Sequence, residues 1–515
     1  MASSKQIKLG AILSYLSIIF NMVSGLIYTP WMISQIGQSN YGLYTLATSV
    51  ITMFVMDFGM SSAVSRFVSK YRAEDDTDGV NNFLGMVYKL YIAIDVIILI
   101  ILTVVGLLMD KLYANLMPGE LEIFKVLFVI VGIYSLVSFP FTNLNGILNS
   151  YEKFIQLKII GFLHKVFAIV AVVLCLLLGY GIFALVIVNA VAGFLDIVLK
   201  IIVIKRKTPV KINLKFWNAK VLKEIFGFSL WTTISALAHR LIFNITPSII
   251  VAVSITGVVG VSIFGVAQTV EGYVFTFATA INGMFLPRIS RIINDRRKDE
   301  DLMPLMIKIG RVQCLVIGAL VVGFICFGSS FIIDIWNKPD FSESYICAVL
   351  LIMPSFFYQP MQIANTTLVV ENKVKLQAYV FIITGIVNVI VSVFLSKYFG
   401  AIGASFSIFI AYMIRSILFV IIYKKKIKLN MKEFFKQTYL KIMPLLLVCM
   451  AFGLLMEKCN PIVNKYIRFG INGTAFIVVF VFLARVMFMN NYEKDLFFGT
   501  VRKIFKKILL LNNKQ

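Results

Sequence analysis

From Ile7 to Met489 the chain repeats one pattern: an apolar run of about 20 residues, a short polar connection, and another apolar run. Lipid offers no hydrogen-bond partner to a bare backbone, so each run must be a helix, and at about 1.5 Å per residue each is long enough to cross a bilayer. The pattern therefore predicts an all-α polytopic membrane protein with about fourteen transmembrane helices. The expected spans are approximately 10–33, 42–65, 86–109, 121–148, 155–178, 180–204, 225–252, 258–283, 309–334, 344–368, 376–396, 399–423, 442–457 and 467–489. The thirteenth is short and is ended by Glu457, Lys458 and Pro461.

The connections alternate in charge. One set holds Lys5, Lys8, Arg66, Lys70, Arg72, Lys153, Lys158, Lys373 and Lys375, with the runs Lys205 to Lys223, Arg288 to Arg311 and Lys424 to Lys441, and the tail. The other set holds only Lys111, Lys125, Lys338, Lys397, Lys458 and Lys465. Roughly 36 basic residues against 6 sets the orientation, with both termini cytoplasmic, and an odd number of spans would destroy the asymmetry. The net charge of +24 is then a topology signal and an attraction to anionic inner-leaflet lipid, and no nucleic-acid partner is expected. A composition 59% apolar and 14% charged exceeds what a water-soluble core of this size needs.

Several chemistries find no residues to carry them. There is no GxxxxGK[ST] phosphate loop and no soluble insert long enough for an ATPase. Cys175, Cys314, Cys326, Cys347, Cys449 and Cys459 are scattered without metal spacing, and two His make no HExxH, so neither metal nor cofactor is expected and the chain does not read as an enzyme. The first apolar stretch is longer than a signal-peptide core and is expected to stay as the first helix. From Tyr492 onward, Lys and Arg interleave with Leu, Phe, Ile and Val, predicting an amphipathic helix on the inner surface.

An internal repeat organises the spans. Tyr28-Thr29-Pro30 echoes Ile245-Thr246-Pro247, each followed by a Gly (Gly42, Gly260) that opens the next span. Pro140, Asn145 and Glu152-Lys153 echo Pro360, Asn365 and Glu371-Asn372-Lys373, and the turn at Gly181 echoes that at Gly400. Spans 1–6 thus align with spans 7–12 as parallel repeats, which places a substrate path with the two halves. The expected divisions are an N-terminal lobe at 1–209, a C-terminal lobe at 210–425, an extra helix pair at 426–490 and a basic tail at 491–515.

With Tyr41-Gly42-Leu43-Tyr44, Asp57-Phe58-Gly59, Asn145-Gly146 and the Gly181 and Gly400 turns in this order, the chain resembles the polysaccharide-exporter branch of the multidrug/oligosaccharidyl-lipid/polysaccharide exporter (MOP) superfamily, which includes Wzx-type flippases. The resemblance covers about residues 5 to 425, and the extra pair is similar to that of fourteen-helix members such as lipid II flippases. It implies a bacterial inner-membrane transporter that moves an undecaprenyl-diphosphate-linked oligosaccharide to the outer leaflet by alternating access. Polysaccharide polymerases and glycosyltransferases are the implied protein partners.

Such a cargo needs a polar, cationic path, because an unpaired polar group in hydrocarbon costs kilocalories and a bare charge more. Arg240 lies deep in span 7, where a guanidinium can hold phosphate bidentately or else pair with Glu271. His239 beside it either lines the path or packs. Lys165 and Arg415 either line the path or snorkel toward lipid phosphate. Asp57 and Glu271 stand near equivalent places in the two halves and suit proton or sodium coupling, or else neutralise a neighbouring cation. Asp196 is one turn from Lys200, which predicts a local ion pair. A multidrug exporter of the same superfamily would favour acidic groups instead, and a membrane glycosyltransferase or polymerase would need an outer loop longer than the roughly dozen residues available here.

Overall fold

The computed structural model describes residues 4–55, 60–283, 289, 291–293, 298–336, 338–371 and 373–499. The helices of the N-terminal portion are α1 (Ser4–Ile36), α2 (Gln38–Phe54), α3 (Met60–Ala73), α4 (Thr77–Leu107), α5 (Pro118–Ser138), α6 (Leu144–Ser150), α7 (Phe154–Leu177) and α8 (Ile182–Lys207). They are followed by α9 (Ala219–Phe243), α10 (Thr246–Val253), α11 (Gly257–Gly283), α12 (Lys298–Ser330), α13 (Ser342–Tyr358) and α14 (Gln362–Val370). The last are α15 (Val374–Ile422), α16 (Tyr439–Cys459) and α17 (Lys465–Leu483). No strand occurs among the described residues.

Twelve helical stretches among these residues are long and apolar enough to cross a membrane. One of them, Val374–Ile427, runs 54 residues and holds Gly400 at φ 54° and ψ −132°, a left-handed position open to glycine, so it comprises two crossings. The span expected at 42–65 is shared between α2 and α3, on either side of residues 56–59. With these two, the architecture accords with fourteen crossings. Asp57 lies outside the described residues.

The exposed side chains show what solvent the helices were selected for. α4 buries Phe83, Leu84, Val87 and Tyr91 and presents Ile92, Val96, Ile97 and Ile100, each about half exposed, on its other side. In water that stripe would be a binding patch or an aggregation hazard; in a bilayer it is the lipid contact.

The prolines of the repeat produce the same backbone device twice. α5 stops at Ser138, a 3₁₀ turn occupies Phe139–Phe141 around Pro140, and α6 resumes at Leu144. α13 stops at Tyr358, a 3₁₀ turn occupies Gln359–Met361 around Pro360, and α14 resumes at Gln362. Proline cannot donate to the carbonyl one turn back, so the tighter turn relieves the ladder. Both short helices then close in the same way: Lys153 N–H reaches back to Leu148 O at 2.9 Å, and Lys373 N–H to Leu368 O at 2.7 Å. Pro30 and Pro247 differ, since Pro30 sits inside continuous α1 while Pro247 stands in the first turn of α10.

Packing separates two compact units, one of Met1–Val266 with Val374–Ala411 and one of Ala267–Lys373 with Tyr412–Gln515. The first has its core at Leu43, Leu46, Ile51, Phe83, Phe124 and Phe139. In the second, Arg311 of α12 is nearly sealed from solvent and bonds Glu493 through Nε at 2.5 Å and Nη2 at 3.0 Å, and it also donates to Phe488 O and Gln437 O. Glu493 and Asn490 cap each other's backbone N–H, so a helix begins there and runs to residue 499. The start of the expected amphipathic tail is therefore docked on its own unit, and residues 500–515 lie outside the described residues.

Candidate functional site

In the first unit the guanidinium of Arg240, inside the span Thr233–Val253, stands beside a helix break. α9 ends at Phe243, and Pro247, lacking an N–H, opens α10, which leaves the last carbonyls of α9 without helical donors. Asn388 of α15 supplies them, donating from Nδ2 to Leu241 O at 3.3 Å and Ile242 O at 3.2 Å, and Ser407 Oγ holds Asn388 Oδ1 at 3.0 Å. Thr246 Oγ1 also donates to Ile242 O, at 2.6 Å. A broken helix at membrane depth is sustained only by such partners.

Arg240 lies one turn before this break. Its Nη1 donates to Thr52 O, in the last turn of α2, where carbonyls lack helical partners and the helix end is negative. Asn244 joins it, donating from Nδ2 to Thr52 Oγ1 at 2.6 Å. A carbonyl, not a carboxylate, thus receives Arg240. The guanidinium is half-buried, and its other N–H donors make no hydrogen bond among the described residues. His239 turns its ring toward Phe243 and Phe381, with centroids 6.3 and 5.9 Å away. Lys165 is exposed on α7, where Leu163 and Phe167 are also exposed, whereas the neighbouring His164 is half-buried. Asp196 and Lys200 of α8 form the expected ion pair, at 2.5 Å.

The second unit holds Arg415 and Glu271. Arg415 is the largest fully buried side chain among the described residues, its guanidinium 4.3 Å from the centroid of the Tyr412 ring and donating to the Tyr412 hydroxyl. The Tyr358 ring lies 6.2 Å from that of Tyr412, Gln362 donates to Tyr358 Oη at 3.2 Å, and Asn365 donates to Gln362 Oε1 at 2.9 Å. Glu271 of α11 is half-buried and close enough to Tyr412 to act on it electrostatically. Arg415 and Glu271 thus meet around one tyrosine, while Arg240, His239 and Lys165 belong to the other unit. Among the described residues no group of three or more His, Cys, Asp or Glu is arranged to hold a metal ion.

Sequence reasoning missed two features. Arg311 reads as one more cation of a basic inner run, and only the structure shows it as the anchor of Glu493. Asp95 of α4 stands in a strongly apolar run, and its Oδ1 is buried without a hydrogen bond among the described residues.

Solved structures share this architecture. The inward closed conformation of lipid II flippase MurJ superposes with a TM-score of 0.70 over 96% of this chain and 99% of its own, at 16% identity. An inward-facing multidrug resistance MATE transporter of the MOP superfamily gives 0.65 over 81% and 98%, also at 16% identity. A MOP superfamily transporter from Pyrococcus furiosus, described by the reverse polarity of its binding pocket, gives 0.61 over 83% and 99% at 15% identity. At these identities the likeness is one of fold. In sequence, the chain is 23% identical over 375 residues to the uncharacterized membrane protein MJ1375 of Methanocaldococcus jannaschii, covering 71% of this chain and 84% of that one. A family profile described as polysaccharide biosynthesis protein matches residues 7–293, over half of the chain. This multi-pass membrane protein, with the MOP superfamily fold, belongs to the polysaccharide biosynthesis protein family.

Proposed function

We propose that the chain is a flippase that carries an undecaprenyl-diphosphate-linked oligosaccharide from the inner to the outer leaflet of a bacterial cytoplasmic membrane, feeding cell-surface polysaccharide synthesis. The observation that carries the reading is Arg240, a guanidinium inside a span whose donors other than Nη1 make no hydrogen bond among the described residues. A cation so placed offers charge-assisted, bidentate bonds to a diphosphate in a medium where the cargo has lost its water. The other groups take supporting parts: His239 beside Arg240 at the head group, with Lys165 and Arg415 adding positive potential. Asp57 and Glu271 are the proposed sites of proton or sodium coupling.

The energetics permit export without ATP. Moving one negative charge outward with an inside-negative potential gains about 2.3 kcal/mol per 100 mV if it crosses the whole field. In this reading residues 1–209 and 210–425 act as two six-helix lobes in alternating access, both termini face the cytoplasm, and polymerases or glycosyltransferases hand over and receive the cargo. The chain performs no covalent chemistry itself.

Arg240→Ala decides the matter in proteoliposomes loaded with lipid-linked oligosaccharide. Translocation is expected to fall at least a hundredfold while membrane insertion and melting temperature stay near wild type, and Arg240→Lys recovers only part because a point charge replaces a fork. Wild-type translocation by Arg240→Ala removes Arg240 from the mechanism.

A further inference from the structure

A polar cavity lies wholly inside the first unit, at membrane depth, and Arg240, His239 and Lys165 are not among its lining residues. Its volume is about 650 Å³, within the range of about 300–1,000 Å³ usual for small-molecule sites, and α3, α5, α6, α7 and α8 all contribute to its wall. His164 lies ten residues into α7, about 15 Å along the helix axis from its inner end.

Most hydrogen-bonding side chains of the lining already bond within the unit, as Ser61 does to Thr142 O at 3.1 Å, Thr142 to Phe139 O at 2.9 Å and Ser138 to Ser135 O at 3.1 Å, but two stand apart. Asn145 is exposed to the cavity, His164 half so, and neither side chain makes a hydrogen bond among the described residues. Free polar groups at this depth are costly unless water or a ligand meets them. Asp196 and Lys200 neutralise each other at 2.5 Å, and Tyr134 shares its hydroxyl with Ser138, so the wall carries no strong excess of either charge.

Glycines make the room. A Cβ at Gly146 would come within 2.5 Å of Ser61 O, so only glycine lets α6 lie against α3 with Asn145 on the cavity side. A Cβ at Gly193 would fall 1.8 Å from Tyr134 Oη, so the absent side chain leaves that hydroxyl its place on the wall. At Gly161 a Cβ would meet nothing within 4 Å, which is open cavity.

We propose that this cavity is a sugar-ring subsite, taking one neutral pyranose. Amide, imidazole and hydroxyl groups that both donate and accept match ring hydroxyls that do the same, and Phe141 offers a flat apolar face to the C–H side of the ring. An anion would find Lys200 already occupied by Asp196, and a cation would meet His164 and Lys200. The inference rests on the flippase reading for the identity of the cargo, since it gives one residue of the oligosaccharide a seat inside the first unit. Sugar binding itself is measurable apart from transport.

The full chain in nanodiscs is examined by saturation-transfer difference NMR with free glucose, galactose and N-acetylglucosamine, and with inorganic phosphate as competitor. At least one sugar is expected to give a signal that falls fivefold or more in Gly161→Trp and in the double variant Asn145→Leu/His164→Leu. Val170→Trp, on the exposed side of the same helix, keeps it. The double variant covers the case in which Gly161→Trp does not fold. No signal from any sugar, an undiminished signal in the folded variants, or displacement by phosphate overturns the subsite. If wild-type protein translocates lipid-linked oligosaccharide and Gly161→Trp does so equally fast, the subsite falls and the flippase reading stands. If wild-type protein translocates none yet binds sugar at this cavity, the reverse holds.

Discussion

The Pro140 and Pro360 breaks share a backbone and differ in what they do with it. Five residues beyond each proline stands an asparagine. In the first unit Asn145 is exposed to a polar cavity and makes no hydrogen bond among the described residues; in the second Asn365 is half-buried and joined through Gln362 to Tyr358, in the cluster that holds Arg415. The same device has been used once to present polar groups and once to lock them together. The contrast teaches that a buried polar group stabilises a membrane fold only when its partners are supplied, and that one left without partners is available for a ligand.

The heaviest test of that contrast removes a charge from the locked unit. Glu493→Ala leaves the Arg311 guanidinium buried without its counter-charge, and truncating one partner of a buried pair costs about 3–5 kcal/mol. Hydrogen exchange should show residues 490–499 losing protection at once. Protection equal to wild type would mean that the tail is held by something other than this pair.

Arg415→Ala comes next. It empties the space of that fully buried side chain and deprives Tyr412 of its donor, for a loss of about 3 kcal/mol, whereas His164→Ala at the cavity of the first unit changes stability by less than about 0.5 kcal/mol. Thermal unfolding in detergent separates the two. If both variants melted alike, the distinction between locked and presented polar groups would not survive.

Much of the fold was legible because apolar runs of one crossing length leave no alternative to helices, and because proline marks the places where the ladder breaks. Asp196–Lys200 was readable from its one-turn spacing. The site was less so, for a physical reason: a span that is apolar on every side gives hydrophobic periodicity no face to report. On α7 the sequence drew notice to Lys165, whose charge stands out, while the structure turns the adjacent His164 into the cavity. Arg415 offered either a transport path or a lipid phosphate on sequence grounds. Tyr358, which Arg415 acts on electrostatically, lies in another span, so the complete burial of Arg415 depended on tertiary packing.

The smallest effect is the most direct comparison, because it uses the same substitution at matching positions of the repeat. Asn365→Ala removes a hydrogen bond from a network and leaves Gln362 Oε1 without that donor, costing about 1 kcal/mol, while Asn145→Ala removes no hydrogen bond among the described residues and stays within about 0.5 kcal/mol. Transport should rank them the other way, with Asn145→Ala the slower, since the group that contributes least to the fold is the one facing the cavity. Melting curves and translocation rates measured on both variants test the inversion. A pair that ranked the same way in both assays would show that the two asparagines serve one purpose, and the repeat would then have kept its side-chain roles along with its backbone.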